Sequence, residues 1–325
     1  MHKSNRALIC GVSGQDGAYL AELLLKKGYE VIGGSRDAAA SSFANLKSLN
    51  IYEKVITTTL VATDFRSVLQ VLNKYQPTEI YNLAAQSSVG RSFEQPVETI
   101  ETIAIGTLNL LEAIRFSGLS TRFYNASSSE CFGDIGSEPA SEETPFKPRS
   151  PYAVAKVAAH NLVNNYREAY DVFACNGILF NHESPFRPEK FVTQKIIKTA
   201  AKIASGSLDQ LNLGRVDIER DWGWAPDYVE AMWSMLQNNI PEDFVIATGT
   251  SVSLEYFVQK SFDYFGLNYL DYLSVDKSLY RPSDIAVSAA NPEKSKRILG
   301  WSAKYRVEDV IKKMCQSAKL ELENK

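Results

Sequence analysis

The sequence predicts an α/β protein: a doubly wound parallel sheet followed by a smaller, mixed C-terminal domain. Two observations carry that expectation. Short β-branched or apolar runs alternate with longer helical patterns through the first 180 residues, the signature of βαβ units covered on both faces. Beyond Phe180 the alternation fades, and Gly, Pro and Arg scatter among shorter elements. A length of 325 residues accommodates one large domain or two modest ones.

Each element follows from its own pattern. Residues 7–12 (ALICGV) form a first strand, and 16–27 repeat Leu and Ala at helical spacing. Residues 30–32 make a second strand and 54–60, rich in β-branched residues, a third. A helix over 65–75 precedes a fourth strand at 79–83, and a helix over 97–116 precedes a fifth at 122–125. A helix over 152–170 leads to an apolar sixth strand at 173–180. Residues 254–265 and 307–322 also have helical periodicity.

Composition excludes several function classes. Hydrophobic residues at 45% and charged residues at 22% are ordinary globular values. A formal charge of −3 and a pI near 5.8 provide no bulk attraction to nucleic acid or anionic lipid. Any anionic ligand must therefore be held by local basic residues. Cys10, Cys131, Cys175 and Cys315 are far apart, with no CxxC pair and no metal-ligand spacing. That usage suits a reducing cytoplasm, and no metal site is expected. Met1 to Asn5 lead straight into a strand-like run without a signal-peptide core, and no apolar run approaches a membrane span. The expectation is a cytoplasmic protein with no nucleic-acid or membrane partner.

Gly11-Val12-Ser13-Gly14-Gln15-Asp16-Gly17 joins the first strand to the first helix. Glycines there permit a tight turn and close backbone approach, so the helix N-terminus can hold a diphosphate, as in Rossmann-type folds. The GxxGxxG spacing differs from GxGxxG, and a bare turn is the plain alternative. The strand-to-helix setting favours nucleotide binding. The second strand leads into Ser35-Arg36-Asp37. An arginine there pairs with a ribose 2′-phosphate, whereas an acid accepts from a 2′-OH. Arg36 coming first favours NADP, with NAD as the alternative.

Tyr152 and Lys156 lie four residues apart, on one helical face. A lysine cation beside a phenol favours the phenolate and lowers its pKa toward neutrality. Such a phenol can take a proton from a sugar hydroxyl while hydride leaves the same carbon. The spacing alone is weak, since a chain this rich in Tyr and Lys holds about one such pair by chance. Its place shortly after the fifth strand, behind the rigid entry at 144–151 (TPFKPRSP), strengthens it.

The string ASSSECFG, residues 126–133, follows that fifth strand. Side chains at the carboxyl end of a doubly wound sheet project into the ligand crevice. Ser128 can polarise a hydroxyl under oxidation there, and a Glu130 of raised pKa can shuttle a carbon-bound proton. The bland alternative is a solvated polar loop. Arg187, Lys195, Arg215, Arg220 and Arg281 lie further on. Separated cations with aromatic neighbours can clamp a diphosphate and a base, although each alone reads as a surface charge. His182 has no partner at metal spacing and reads as structural.

Along nearly its full length the chain resembles the extended short-chain dehydrogenase/reductases, and within them the GDP-mannose 4,6-dehydratase family. Besides the glycine loop, the blocks that carry the resemblance are 81–87 (YNLAAQS), 149–156 (RSPYAVAK) and 165–168 (NYRE). The others are 177–185 (GILFNHESP), 220–223 (RDWG) and 244–249 (FVIATG). NHESP and RDWG are far more specific than a glycine motif.

The resemblance implies a lyase that keeps NADP bound and regenerates it in each turnover. Tyr152 would take the C4-OH proton while hydride passes to NADP. Glu130 would remove the C5 proton made acidic by the new ketone, water would leave from C6, and hydride would return there. Lys156 would tune the tyrosine and hold the nicotinamide ribose. Ser128 takes the family's threonine position at the C4 hydroxyl, and Ser129 lies beside it near C6.

Cofactor contacts are implied at Gly11, Ser13, Gly14, Gln15, Asp16, Gly17, Arg36, Asp64, Leu83, Ala84, Ala85, Ser87 and His182, besides Tyr152 and Lys156. Nucleotide-sugar contacts are implied at Ser87, Ser129, Asn181, Glu183, Val192, Lys195, Arg220, Arg281 and Asp284. The implied division is an NADP-binding domain, 1–180 with 217–262 returning to it, and a sugar-nucleotide domain, 181–216 with 263–325. The product would feed deoxysugar synthesis for surface polysaccharide, made by a homo-oligomer.

Several positions depart from the family. Ser128 keeps the threonine hydroxyl without the methyl that restricts its rotamer. The family's double arginine becomes Arg36-Asp37, which bears on the tetramer and on NADP. The adenine-contacting aspartate aligns with Val61, leaving Asp64 just downstream. Arg91 replaces a small residue and Pro188 a glycine, both expected to reshape the hexose end. These changes motivate a GDP-manno-heptose dehydratase as the alternative. A 4-reductase or epimerase, and an inactive dinucleotide sensor, are the further alternatives.

Overall fold

The computed structural model describes residues 5–136 and 138–323. Six strands, β1 (Arg6–Cys10), β2 (Glu30–Ser35), β3 (Ile56–Thr59), β4 (Glu79–Asn82), β5 (Arg122–Ser128) and β6 (Ala174–Leu179), join Phe244–Ile246 in one sheet. Every pairing in it is parallel, in the order β3-β2-β1-β4-β5-β6 and then Phe244–Ile246. The doubly wound sheet expected from the alternation is present. Its order reverses between β1 and β4, so a crevice opens beyond the carboxyl ends of those strands.

Side chains of β1 alternate between two cores. Ala7 and Ile9 join a cluster with Val31, Tyr124 and Met232, whereas Leu8 and Cys10 face Ile32, Ile80 and Leu110. Each fully buried aliphatic side chain there contributes about 1.5–3 kcal/mol relative to exposure.

The predicted 97–116 helix is a continuous rod of three geometries: an α-turn at Pro96–Ile100, a π-turn at Glu101–Ile105 and an α-helix at Gly106–Ser117. The hydroxyls of Thr99, Thr102 and Thr107 donate to the carbonyls of Gln95, Glu98 and Ile103, four residues back. Back-bonding of this kind distorts helices without altering their hydrophobic period, so the pattern could not reveal it.

The fifth strand runs through Ser128 rather than stopping at Asn125. Ser127 and Ser128 pair with Ile178 and Leu179. The Ser128 hydroxyl then accepts the Glu130 amide at 3.2 Å and caps a short 3₁₀ turn over Ser129–Cys131. The polar run is therefore a strand end and its cap, not a solvated loop.

Beyond β6, Glu219–Trp224 is flanked by Asn181–Glu183, Ser251–Ser253 and Val287–Ser288, and Leu211–Leu213 pairs with Leu273–Val275. Helices at Val192–Ala204 and Ala225–Gln237 stand where the sequence reading assigned no element. Of the 217–262 stretch, Ala225–Gln237 contributes Met232 and Met235 to the main core, and Phe244–Ile246 extends the main sheet. Leu254–Tyr264 instead buries Phe257 and Phe262 with Ile196 of Val192–Ala204 and Val310 of Val307–Glu323.

Candidate active site

Gly11 adopts φ +86°, and a Cβ there would meet the Ala84 backbone at 3.0 Å. A Cβ on Gly17 would stand 2.3 Å from the Gly11 carbonyl oxygen. The loop is thus pressed against β4 and against its own helix, Gln15–Lys26, in a way that only glycine permits. That helix, with Gly14 at its N-cap and Asp16 in its first turn, presents unpaired amides beside the switch point. A cradle that a side chain would fill fits a dinucleotide diphosphate.

The loop is also bolted to the second half of the chain. Gln15 Nε2 donates to the His182 carbonyl at 3.2 Å, and Ser184 donates to Gln15 Oε1 at 2.8 Å. His182 Nε2 meets Asp16 Oδ2 at 2.8 Å, its Nδ1 meets the Phe180 carbonyl at 2.7 Å, and its ring stacks on Tyr228. Burial opposes charge on this imidazole, yet the Asp16 carboxylate raises its pKa. For Asp16 burial pulls upward, and His182 more than reverses it, so the carboxyl is lowered. His182 therefore does more than fill a core: it joins the glycine loop to the NHESP segment.

Beyond the loop lies a cleft of about 390 Å³. Asp16, Leu83, Ala85, Ser87, Ser128, Ser129, Glu130, Tyr152 and Lys156 line it from the sheet side. Asn181, His182, Glu183, Val192, Lys195, Arg220, Arg281 and Asp284 line it from the other. Gly11, Ser13, Gly14, Gln15, Gly17, Arg36, Asp64 and Ala84 are outside this lining. A broader groove, about 690 Å³, lies at the opposite strand ends, where the buried Glu79 accepts from Tyr29, Tyr81 and Gln237.

Lys156 donates to the Ala126 carbonyl at 2.6 Å, and its ammonium is 5.7 Å from the Tyr152 ring centroid. Burial brings the lysine down to about 8. Burial also pushes the Tyr152 phenol well above its ordinary value, against a lowering hydrogen bond with Ser128. The expectation that the lysine brings the phenol toward neutrality is thus corrected. In this site desolvation dominates the phenol, and the Lys156 ammonium is directed to a carbonyl. The Tyr-x-x-x-Lys spacing also recurs at Tyr256 and Lys260, but Tyr256 donates to Glu308 at 2.7 Å, outside the cleft. Context, not spacing, distinguishes the first pair.

Desolvation in this half-buried position raises the Glu130 pKa from its ordinary value; Arg220 and Arg281 pull it down and Asp284 pushes it up. Arg220 donates to Asp284 Oδ1 at 3.1 Å and to the Glu219 carbonyl at 2.8 Å, while Arg281 stands 3.7 Å from Asp284. Lys195 donates to the Asn212 carbonyl at 2.6 Å. Glu183 accepts from Thr193 at 2.8 Å and pairs with Arg187 at 3.1 Å. Arg187, assigned no role of its own from the sequence, lines the cleft with its guanidinium 3.8 Å over Phe191. Its position four residues after Glu183, on the same turn, was the available signal.

Three expectations do not survive. Asp64 accepts the Arg66 amide at 3.0 Å and caps the helix Phe65–Tyr75, a geometry that does not support an adenine contact. Arg91 is exposed and bonds Gln95 on its own helix at 2.7 Å, and the exposed Pro188 also lies outside the cleft lining. Neither reshapes the hexose end.

The His182–Asp16 pair predicts a pH signature. A raised histidine pKa contributes stability that is full below the unfolded value of about 6.5 and is lost as pH rises through the folded value. In urea unfolding, His182→Gln should cost most stability near pH 5–6, with the gap to the parent narrowing toward alkaline pH. A gap that stays constant or widens would contradict the pairing.

Comparison with known proteins agrees with this geometry. The GDP-mannose 4,6 dehydratase family model matches residues 8–314. The chain is 46% identical to GDP-mannose 4,6 dehydratase 2 of Arabidopsis thaliana, over 95% of this chain and 85% of that one. It is 43% identical to the Homo sapiens GDP-mannose 4,6 dehydratase, over 95% and 90% of the two chains. The crystal structure of dTDP-glucose 4,6-dehydratase from Bacillus anthracis in complex with NAD shares the fold, with a TM-score of 0.86, 21% identity and 98% of each chain covered. With a glycine-loop cradle, a Ser-Glu-Tyr-Lys cleft and a family match over nearly the whole chain, the protein belongs to the GDP-mannose 4,6-dehydratase family.

Proposed function

We propose that the chain converts GDP-mannose to GDP-4-keto-6-deoxymannose, as a lyase that retains NADP. The observation that carries the reading is the convergence of Ser128, Glu130, Tyr152 and Lys156 on one cleft faced by Arg220, Arg281 and Asp284. The 11–17 loop would hold the dinucleotide, whose chemistry would be to accept hydride from C4 and give it back at C6. Ser128 bonds the C4 hydroxyl, and Tyr152 takes its proton. Glu130 removes the C5 proton and protonates the departing C6 hydroxyl. Its raised pKa suits both directions of transfer. Arg220 and Arg281 neutralise the diphosphate, with Asp284 orienting both guanidiniums.

The cofactor preference rests on Arg36 and Asp37. Asp37 Oδ1 accepts the amides of Ala39 and Ala40 at 2.9 and 3.1 Å, which folds its own loop. Arg36 is exposed and paired only loosely with Glu98, at 3.9 Å, which leaves most of its guanidinium open to a 2′-phosphate. The division into a cofactor domain, 1–180 with 217–262 returning, and a sugar-nucleotide domain, 181–216 with 263–325, is supported where Ala225–Gln237 and Phe244–Ile246 join the main core and sheet. Leu254–Tyr264 instead packs with Val192–Ala204 and Val307–Glu323.

Homo-oligomerisation is supported by Val97, Ile100 and Ile105, exposed on the 96–105 rod, and Val154, exposed on the adjoining helix Pro151–Tyr170. The buried, unpaired cysteines favour the cytoplasm. Among the described residues no helix is long and apolar enough to cross a membrane. The heptose reading loses two of its three motives with Arg91 and Pro188 outside the cleft lining, and Ser128 alone remains.

Purified protein given GDP-mannose, with no NADPH added, should yield a product lighter by one water in mass spectrometry. Glu130→Gln should slow that reaction by about 10²–10⁴-fold; wild-type rates in that variant would remove the carboxylate from the mechanism. Arg36→Ala should weaken NADP retention about tenfold or more, the loss of a charge-assisted bond, and leave NAD binding little changed. Equal losses for both dinucleotides would argue against a 2′-phosphate contact. Light scattering should give at least a dimer mass, and Val97→Asp should reduce it; a monomeric parent would refute the oligomer.

A further inference from the structure

Tyr152, Lys156 and His160 succeed one another at four-residue intervals on the helix Pro151–Tyr170, so they form one stripe. The first two reach the cleft, and His160 lies one turn deeper, 5% exposed. Its Nδ1 is 3.1 Å from the Ser127 hydroxyl and its Nε2 3.3 Å from Asp243 Oδ2. Phe146 closes the ring from the side, edge-on at 4.8 Å.

Asp243 is itself rigidly held. Arg167 donates to both of its oxygens at 2.9 and 3.2 Å, and Asn176 donates its backbone amide at 2.8 Å and its side chain at 3.2 Å. Burial opposes its charge, but His160 and Arg167 hold its pKa below the carboxylate range. Asn176 continues the network to Asn125 at 2.8 Å, and Asn125 to Asn82 at 3.1 Å, across three strands. The Asp243 carboxylate favours a proton on Nε2, the tautomer in which Nδ1 accepts from the Ser127 hydroxyl. The order Ser-His-Asp resembles a nucleophilic triad, but Ser127 is 3% exposed, too enclosed for an acyl group.

Ser127 occupies a pivotal place. The residue before it offers the carbonyl that receives Lys156, and the residue after it begins the Ser128–Glu130 turn. We propose that His160, gripped by Asp243, is a positioning residue: through Ser127 it fixes the end of β5 on which Ser128, Glu130 and the Lys156 contact all depend. The proposal rests on the dehydratase reading for its kinetic arm and on geometry alone for its chemical arm.

The test compares Ser127→Ala, His160→Phe, His160→Asn and the Ser127→Ala/His160→Phe double variant, each in full-length protein. Asn at 160 preserves an acceptor near Nδ1 and gives up Asp243. Ser127→Ala and His160→Phe should each lower kcat for GDP-mannose about tenfold or more with KM within about twofold, the mark of misplaced rather than missing groups. The double variant should be no slower than the slower single variant, because the two side chains act as one unit. His160→Asn should recover part of the kcat lost by His160→Phe.

A second arm needs no turnover. Competitive acetylation of Lys156, read by peptide mass spectrometry, should speed up several-fold in Ser127→Ala and His160→Phe as the Ala126 contact loosens. If the parent turns over no GDP-sugar, the dehydratase reading fails and this labelling arm alone decides the positioning role. Unchanged kcat and labelling in Ser127→Ala, the mildest variant, would overturn the proposal, as would additive losses in the double variant. Lowered melting temperature with intact kcat and labelling would make the network structural only and would overturn it equally.

Discussion

Lys156 reaches the Ala126 carbonyl at 2.6 Å, and that short charge-assisted bond ties the end of β5 to the helix Pro151–Tyr170. Almost everything chemical in the molecule hangs from it. The strand is central in a parallel sheet, so its carboxyl end cannot shift without disturbing β4 and β6. The helix is long, opened by Pro151 and capped by Ser150, whose hydroxyl accepts the Ala153 amide at 3.1 Å. Two rigid bodies joined there and at Ser127–His160 set where a hydroxyl, a carboxyl, a phenol and an ammonium stand relative to each other. Catalytic geometry on such elements is more exact than geometry built on loops.

Desolvation then sets the protonation behaviour of those groups. Burial raises Glu130 and Tyr152 and lowers Lys156, so each is biased toward its neutral form. Arg220 and Arg281 act against this at Glu130 alone, which keeps that carboxyl closer to ionisation than its burial would allow. A carboxyl balanced between burial and two cations is suited to accept a proton and release it within one turnover. The phenol's counterweights, a hydrogen bond with Ser128 and the Arg187 charge, do not offset its burial. Its activation therefore belongs to the assembled complex rather than to Lys156 alone.

Much of this was legible in the sequence, for reasons that can be named. The βαβ alternation and the glycine loop are local patterns, and the strand bounds at β4 and the helix at 65–75 fell within a residue of the reading. Ser128, Glu130, Tyr152 and Lys156 were found because they flank one strand end and one helix start. What escaped was non-local or had no period. The π-turn at 101–105 leaves the apolar pattern intact. His182 looked like a filler until its Asp16 partner, 166 residues away, was in view. His160 carried no motif, and its partners Ser127 and Asp243 lie on separate elements. Asp64 and Arg91 misled because a carboxylate and a cation near a site by alignment can be taken up by a helix cap or a neighbouring glutamine.

The central claim is that Glu130 exchanges a proton with C5 of the sugar while the hydride stays inside the protein. Turnover of GDP-mannose in deuterium oxide, with the product examined by NMR, tests that most directly. The account predicts deuterium at C5 and none of it at C6. A product carrying solvent deuterium at C6, or protium retained at C5, would contradict it.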